Sequence, residues 1–287
     1  MERHKPVLVE EVFSFVPEKA KILVDGTLGH GGHTQYILEN IEHNSIEKIY
    51  GIDVDSKVLG RARENLFGYE KKLVFTNDSY SNIDKILNPN SVDFILLDLG
   101  VNMEHFKDFD RGFSIKENSY LDMTFDGSKN TAANFINTAS TDTIASMLHD
   151  FGDFSYKFSQ AIADTIIQKR KIKPINTTFE LIDILKEFRF GQKKIAVVFQ
   201  CIRIKVNLEL EKLKTFLDKL PYILSKGGVC AIITYHSIED RIVKFAFKDY
   251  SKNGFQLINK KVIKPSWEEI SNNKAARSAK LRGIKLL

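Results

Sequence analysis

A chain of 287 residues with 43% hydrophobic and 28% charged residues has the composition of an ordinary globular protein, long enough for one large domain or a domain with an insertion. The sequence opens without an apolar leader, and no apolar run approaches a membrane span, so the expected location is cytoplasmic with no membrane contact. Two cysteines, Cys201 and Cys230, each in an apolar stretch, indicate neither a disulfide framework nor a zinc knuckle; the net charge of +5 gathers over 241–287, where twelve Lys or Arg stand against three acids and suggest a polyanion, RNA or DNA, as partner, with a merely solvated lysine-rich surface as the alternative.

Val9, Val12, Phe13 and Val16 recur at helical spacing between Pro6 and Pro17 and predict an amphipathic helix over 6–16. A strand over 22–24 ends in Asp25. The glycine-rich turn over 26–33 then opens into a stretch, 34–38, whose apolar spacing suits a helix. Gly26, Gly29, Gly31 and Gly32 let the backbone approach a ligand closely, and the N–H groups of the helix start face the same crevice, an arrangement that holds nucleotide-like cofactors. A dinucleotide fingerprint starting at Gly29 would need glycine at Thr34, and Asp25 would repel a pyrophosphate but suits a cation. S-adenosylmethionine carries an ammonium and a sulfonium and no phosphate. A second apolar run over 49–52 ends in Asp53, placed to accept hydrogen bonds from both ribose hydroxyls. These features predict the cofactor half of a doubly wound α/β methyltransferase; a turn needed only for strand-to-helix packing is the competing reading.

Further along, Ser56 caps a helix running to about Leu66, a third strand covers 73–75, and a short helix covers 81–87. The almost continuously apolar run over 92–97 predicts a central strand buried on both faces, and it ends in Asp98, a third carboxylate on the same sheet edge. The strand and helix alternation then stops. A loop to about Asn130 precedes helices capped by Thr141, covering 155–171, and starting near Thr177, which reads as an inserted helical domain. The expected division is a discontinuous catalytic domain, 1–101 with 195–287, and a helical substrate-recognition insertion, 102–194. A long helical stretch over 195–224 has Asn207 as an internal break, the turn 225–228 follows, and a strand over 229–234 leads to Tyr235, His236 and Ser237. A helix over 238–250, a strand over 255–263, a capping box between Ser266 and Glu269, and a strand over 281–287 complete the chain, compatible with the antiparallel edge of class I, Rossmann-like methyltransferases. No metal site is expected: Asp53 with Asp55 suits ribose, and the histidines lack ligand spacing.

Several segments, in order and over nearly the whole chain, resemble the bacterial 16S ribosomal RNA cytosine-N4 methyltransferase family known as RsmH or MraW. They include His4-Lys5-Pro6-Val7-Leu8, the loop over 25–33, Gly51-Ile52-Asp53-Val54-Asp55, Leu97-Asp98-Leu99-Gly100-Val101, Asp110-Arg111-Gly112-Phe113-Ser114, Tyr235-His236-Ser237-Ile238-Glu239-Asp240-Arg241 and Ala276-Arg277-Ser278-Ala279-Lys280-Leu281-Arg282. The resemblance implies S-adenosyl-L-methionine as cofactor and methylation of the N4 amino group of a decoding-centre cytosine, near the P site, in 16S rRNA of the small ribosomal subunit. It assigns cofactor contacts to Gly31, Gly32, His33, Asp53, Tyr80 and Asp98, and places His105 where the family has a cofactor-contacting glutamine. The family's S-S-P-Q-L-D becomes the run from Asn102 to Lys107 here, and its T-R-T becomes Ala196-Val197-Val198.

Catalysis on a weakly nucleophilic amino group calls for hydrogen-bond acceptors at the ends of strands four and five, which nominates Asp98 or Asn102, with His236 and Glu239 near the base or the proton's exit path. His236 and Glu239 equally suit a helix cap. Phe113 and Tyr235 are candidates to sandwich an unstacked base, and Arg277, Lys280 and Arg282 to contact phosphate. Two other classes stay open, a nicotinamide oxidoreductase and a non-catalytic rRNA-binding or assembly factor that keeps the fold, and homodimer formation is undecided by the sequence.

Overall fold

The computed structural model describes residues 6–41, 45–101 and 111–287. Asn102 and His105 therefore lie outside the described residues. Helix α1 (Val9–Phe13) is shorter than the spacing predicts because Leu8 before it sits in the left-handed region at φ 55°. Strand β1 (Ile22–Asp25) and helix α2 (Gly32–Asn40) flank the glycine turn, and β2 (Lys48–Asp53) leads into α3 (Ser56–Asn65). The cap of α3 is Asp55, not Ser56: its Oδ1 accepts the N–H groups of Lys57 at 2.9 Å and Val58 at 3.4 Å. After β3 (Leu73–Asn77) come a 3₁₀ turn at Tyr80–Asn82, the short α4 (Ile83–Ile86) and β4 (Val92–Asp98).

Five helices follow: α5 (Ala132–Thr138), α6 (Thr141–Gly152), α7 (Tyr156–Ile172), α8 (Thr178–Lys186) and α9 (Gln192–Asn207). Ser140, one residue before the expected Thr141, caps α6, whereas Thr177 and Glu180 form a reciprocal capping box for α8. The break in the long helical stretch falls at Leu208, at φ 53°, one residue past Asn207, and α10 (Glu209–Ile223) continues beyond it. Strand β5 (Leu224–Thr234) absorbs the expected turn as a register shift, since Val92 pairs with Leu224 but Phe94 already pairs with Val229. Helix α11 (Ser237–Tyr250), β6 (Phe255–Leu257), α12 (Trp267–Asn272), a 3₁₀ segment (Lys274–Ser278) and β7 (Lys280–Leu286) complete the order. The expected strand over 255–263 stops at Leu257, and Ile263 keeps only an isolated bridge to Leu281.

The chain divides into two compact units, one of Met1–Gly100 with Glu211–Leu287, the other of Val101–Leu210. The first holds a seven-stranded sheet in the order β3-β2-β1-β4-β5-β7-β6, parallel except for β7, which runs antiparallel between β5 and β6. This is the Rossmann-like, doubly wound class I methyltransferase architecture. Apolar clusters cover both faces of the sheet, one including Leu23, Phe94, Leu96 and Ala231, the other Val24, Ile95, Leu97 and Ile232. That alternation explains why β4 reads as a continuous apolar run, each fully buried side chain contributing about 1.5–3 kcal/mol. The second unit is a helical core in which Val198, Phe199, Cys201 and Ile202 of α9 are buried with Ile144, Met147 and Leu148 of α6. It runs to Leu210, past the expected resumption of alternation at 195. An apolar helix face declares that it is buried, not against which core.

Candidate active site

Parallel pairing brings the carboxyl ends of β2, β1 and β4 to one edge. Asp25 lies beside Gly51 on one side and Leu96 on the other, so Asp53 and Asp98 each stand two residues further along their strands. Strand order reverses between β1 and β4, where an open α/β sheet forms a ligand crevice. Gly31, the N-cap of α2, has φ +81°, and a Cβ on it would lie 2.7 Å from Cδ1 of Leu66, so glycine is required both for backbone conformation and for space. The N–H groups of Gly32 and His33 begin α2, whose geometry gives them no intrahelical acceptor. The His33 ring turns away from that role: it is buried, with Nε2 2.9 Å from the carbonyl oxygen of Val7.

Asp53 clamps the glycine turn. Its Oδ2 accepts the Gly29 N–H at 2.9 Å and its Oδ1 the Asp55 N–H at 2.9 Å. A carboxylate oxygen accepts more than one hydrogen bond, so this clamp is compatible with ribose hydroxyls on the same group. Asp55 caps α3 through its Oδ1. Tyr80 starts the 3₁₀ turn after β3, with its ring edge-on to Phe216 at 5.8 Å and its Cβ against Gly26, where an added Cβ would meet it at 3.1 Å.

Asp25 is buried beside a small cavity lined by Leu23, Ile37, Ile49, Phe94 and Leu96. Burial pushes its carboxyl up to about 6, against the opposing influence of His33, the Thr34 hydroxyl donated at 2.8 Å and the Thr27 N–H, while Asp98 adds to the rise. Because the folded protein holds this proton to higher pH than the unfolded chain does, its contribution to stability is full below about pH 4 and is lost as pH rises to about 6. Asp25→Asn removes that dependence. The variant's denaturation free energy, relative to the parent, is expected to improve by about 3 kcal/mol between those pH values and to stay level above them. A difference that is flat with pH would show an Asp25 that ionises normally.

Asp98 is built into the ends of two strands. Its N–H donates to Thr27 Oγ1 at 2.6 Å, and Gly100 N–H lies 3.4 Å from its Oδ1. Tyr235, just past β5, sets its phenol beside the Asp98 carboxylate; burial, then the Asp98 charge and hydrogen bonding to it, hold the phenol well above its ordinary pKa. The Tyr235 ring lies against Gly100, where a Cβ would come within 2.7 Å of Cε2. His236 and Glu239 form a capping box on α11: His236 Nδ1 accepts the Glu239 N–H at 3.3 Å, and Glu239 Oε2 accepts the N–H groups of Tyr235 at 2.9 Å and His236 at 3.3 Å. Nε2 of His236 lies 3.0 Å from Glu239 Oε1. Both side chains thus hold the loop that presents Tyr235.

The full length, residues 1–287, matches the MraW methylase family. The chain belongs to that family. Among curated relatives, the ribosomal RNA small subunit methyltransferase H of Brachyspira hyodysenteriae is 40% identical over 97% of this chain and 95% of its own length, and that of Dictyoglomus thermophilum is 40% identical over 97% and 95%. Among solved structures, an rRNA methylase from Streptococcus thermophilus, 14% identical, covers 100% of this chain and 99% of its own with a TM-score of 0.43.

For a methylase, several expected contacts take other forms here. Phe113 is buried and stacked on Phe125 at 5.6 Å, so it packs the helical unit and does not offer a face to a base. Lys280 and Arg282 are drawn to Asp240, at 3.3 Å and 2.8 Å, while Arg277 stands exposed. Thr27, Thr34 and the Tyr235 hydroxyl, which fix the carboxylates of Asp98 and Asp25, escaped the sequence reading. Thr34 alone carried a signal, as a hydroxyl where a dinucleotide site has glycine.

Proposed function

We propose that this methylase transfers a methyl group from S-adenosylmethionine to the N4 amino group of a decoding-centre cytosine in 16S rRNA of the small subunit, acting in the cytoplasm and using its helical unit to recognise substrate. The carrying observation is the trio of carboxylates, Asp53, Asp25 and Asp98, around a glycine turn at the crevice of the sheet. A donor set of acids and backbone N–H groups fits a cationic cofactor without phosphate.

In this reading Asp53 holds the ribose hydroxyls, the turn at Gly31 and Gly32 supplies backbone N–H groups, Asp25 lends negative charge and Tyr80 an aromatic wall. S-adenosylmethionine supplies a methyl group activated on a sulfonium. The cytosine amino lone pair is delocalised into the ring, so this chain's work is to hold the nitrogen in line and to accept its N–H bonds. Asp98 is the acceptor, aimed by the Tyr235 hydroxyl. His236 and Glu239 are positioning residues that fix the backbone of Tyr235.

The test is to incubate the protein with small subunits lacking this methylation and with radiolabelled S-adenosylmethionine, then to map the labelled base by digestion and mass spectrometry. Label on N4 of one decoding-centre cytosine is expected. Label elsewhere would move the substrate assignment, and absence of cofactor binding would favour a non-catalytic binding factor.

A further inference from the structure

The chain has one tryptophan, Trp267, and it opens α12 with 87% of its surface exposed. The aromatic that buries most area when packed is here left in water. Within ten residues of it along the chain, Lys260, Lys261, Lys264, Lys274 and Arg277 are all exposed, against the exposed acid Glu268. The neighbouring Glu269 fixes where this surface stands. Its Oε1 accepts the Leu8 N–H at 2.7 Å, the reciprocal half of the expected capping box having gone there, and Val7 next to Leu8 holds the His33 ring of the glycine turn at 2.9 Å. The Glu269 charge also contributes to raising the Tyr235 phenol, after burial and Asp98. Trp267 is therefore two residues from a side chain tied to both halves of the active site.

We propose that Trp267 stacks on an unpaired base of the substrate rRNA strand, with the flanking lysines and Arg277 on its phosphates. Single-stranded RNA is the occupant that matches both features, since an aromatic face takes any base and the cations follow the backbone. The inference rests on the rRNA methylation reading and deepens it.

Because Trp267 is the sole tryptophan, its fluorescence reports this contact alone. Addition of a single-stranded RNA oligonucleotide should quench it, and an RNA duplex of equal length should do so far less. Trp267→Leu should weaken oligonucleotide binding and raise KM for small subunits by roughly ten-fold, with Trp267→Phe recovering most of the loss. The residue is exposed, so the variants keep the fold, and S-adenosylmethionine binding serves as the check. Quenching equal for duplex and single strand, or a wild-type KM in Trp267→Leu, would overturn the stacking assignment while leaving methylation intact. A parent protein that methylates no subunit would instead overturn the functional reading on which it rests.

Discussion

Asp98→Asn is expected to lower kcat for rRNA methylation by roughly two to three orders of magnitude, while the dissociation constant for S-adenosylmethionine changes far less. The carboxylate is the acceptor best placed at the β4 end, and the neutral amide that replaces it accepts through one atom only and presents N–H groups to the other. The backbone around it stays, because Thr27 Oγ1 holds the residue-98 N–H, not the side chain. Tyr235→Phe should follow with a smaller loss and unchanged cofactor affinity, since it removes the donor that aims Asp98 and keeps the ring against Gly100. Single-turnover rates with equilibrium cofactor binding separate the two effects. A parent-like kcat in Asp98→Asn would remove Asp98 from the chemistry.

Asp53→Ala should produce the opposite division, a cofactor dissociation constant raised by roughly a hundred-fold or more with kcat at saturation largely kept. Hydrogen bonds to an ionised group contribute about 1.5–3 kcal/mol each, and in the proposed reading two ribose hydroxyls converge on this one. The substitution also frees the Gly29 N–H from its 2.9 Å partner and so loosens the turn. Asp53→Asn tells the contributions apart: an amide oxygen keeps one backbone bond, so a smaller but still large loss of affinity measures the ribose contacts. Isothermal titration of both variants is the measurement, and affinity within a few-fold of the parent would place ribose elsewhere.

How much of this was legible beforehand depended on whether the signal was local. Strands β1, β2 and β4 are apolar on both faces and end in carboxylates, so their type, their ends and Asp25, Asp53 and Asp98 could be read directly. The short α5 falls between the loop expected to end at Asn130 and the helix expected from Thr141, and its two turns give too short an apolar period to name a helix. The sequence predicts β6 out to residue 263, but its pairing with β7 ends at Leu257. Side-chain partnerships were the least accessible. Ser266 and Glu269 have capping-box spacing, and Ser266 does accept the Glu269 N–H at 3.1 Å, yet Glu269 spends its carboxylate on Leu8, a residue from the other end of the sequence. Nothing in the spacing of Tyr235 foretells a bond to Asp98, because the sheet alone brings strands four and five together.

The order of the strands also sets a timetable for the molecule. β7 is the strand latest in the sequence, yet it lies between β5 and β6, and within the sheet β6 pairs with nothing else. The Glu269 carboxylate that holds Leu8, beside the glycine turn, is likewise a late arrival. On a growing chain the cofactor strands are made early but cannot be locked until these last segments leave the tunnel, since such long-range pairings form only after the whole intervening chain is available. The cofactor strands of a nascent methylase therefore wait, unlocked, until β7 has cleared the tunnel.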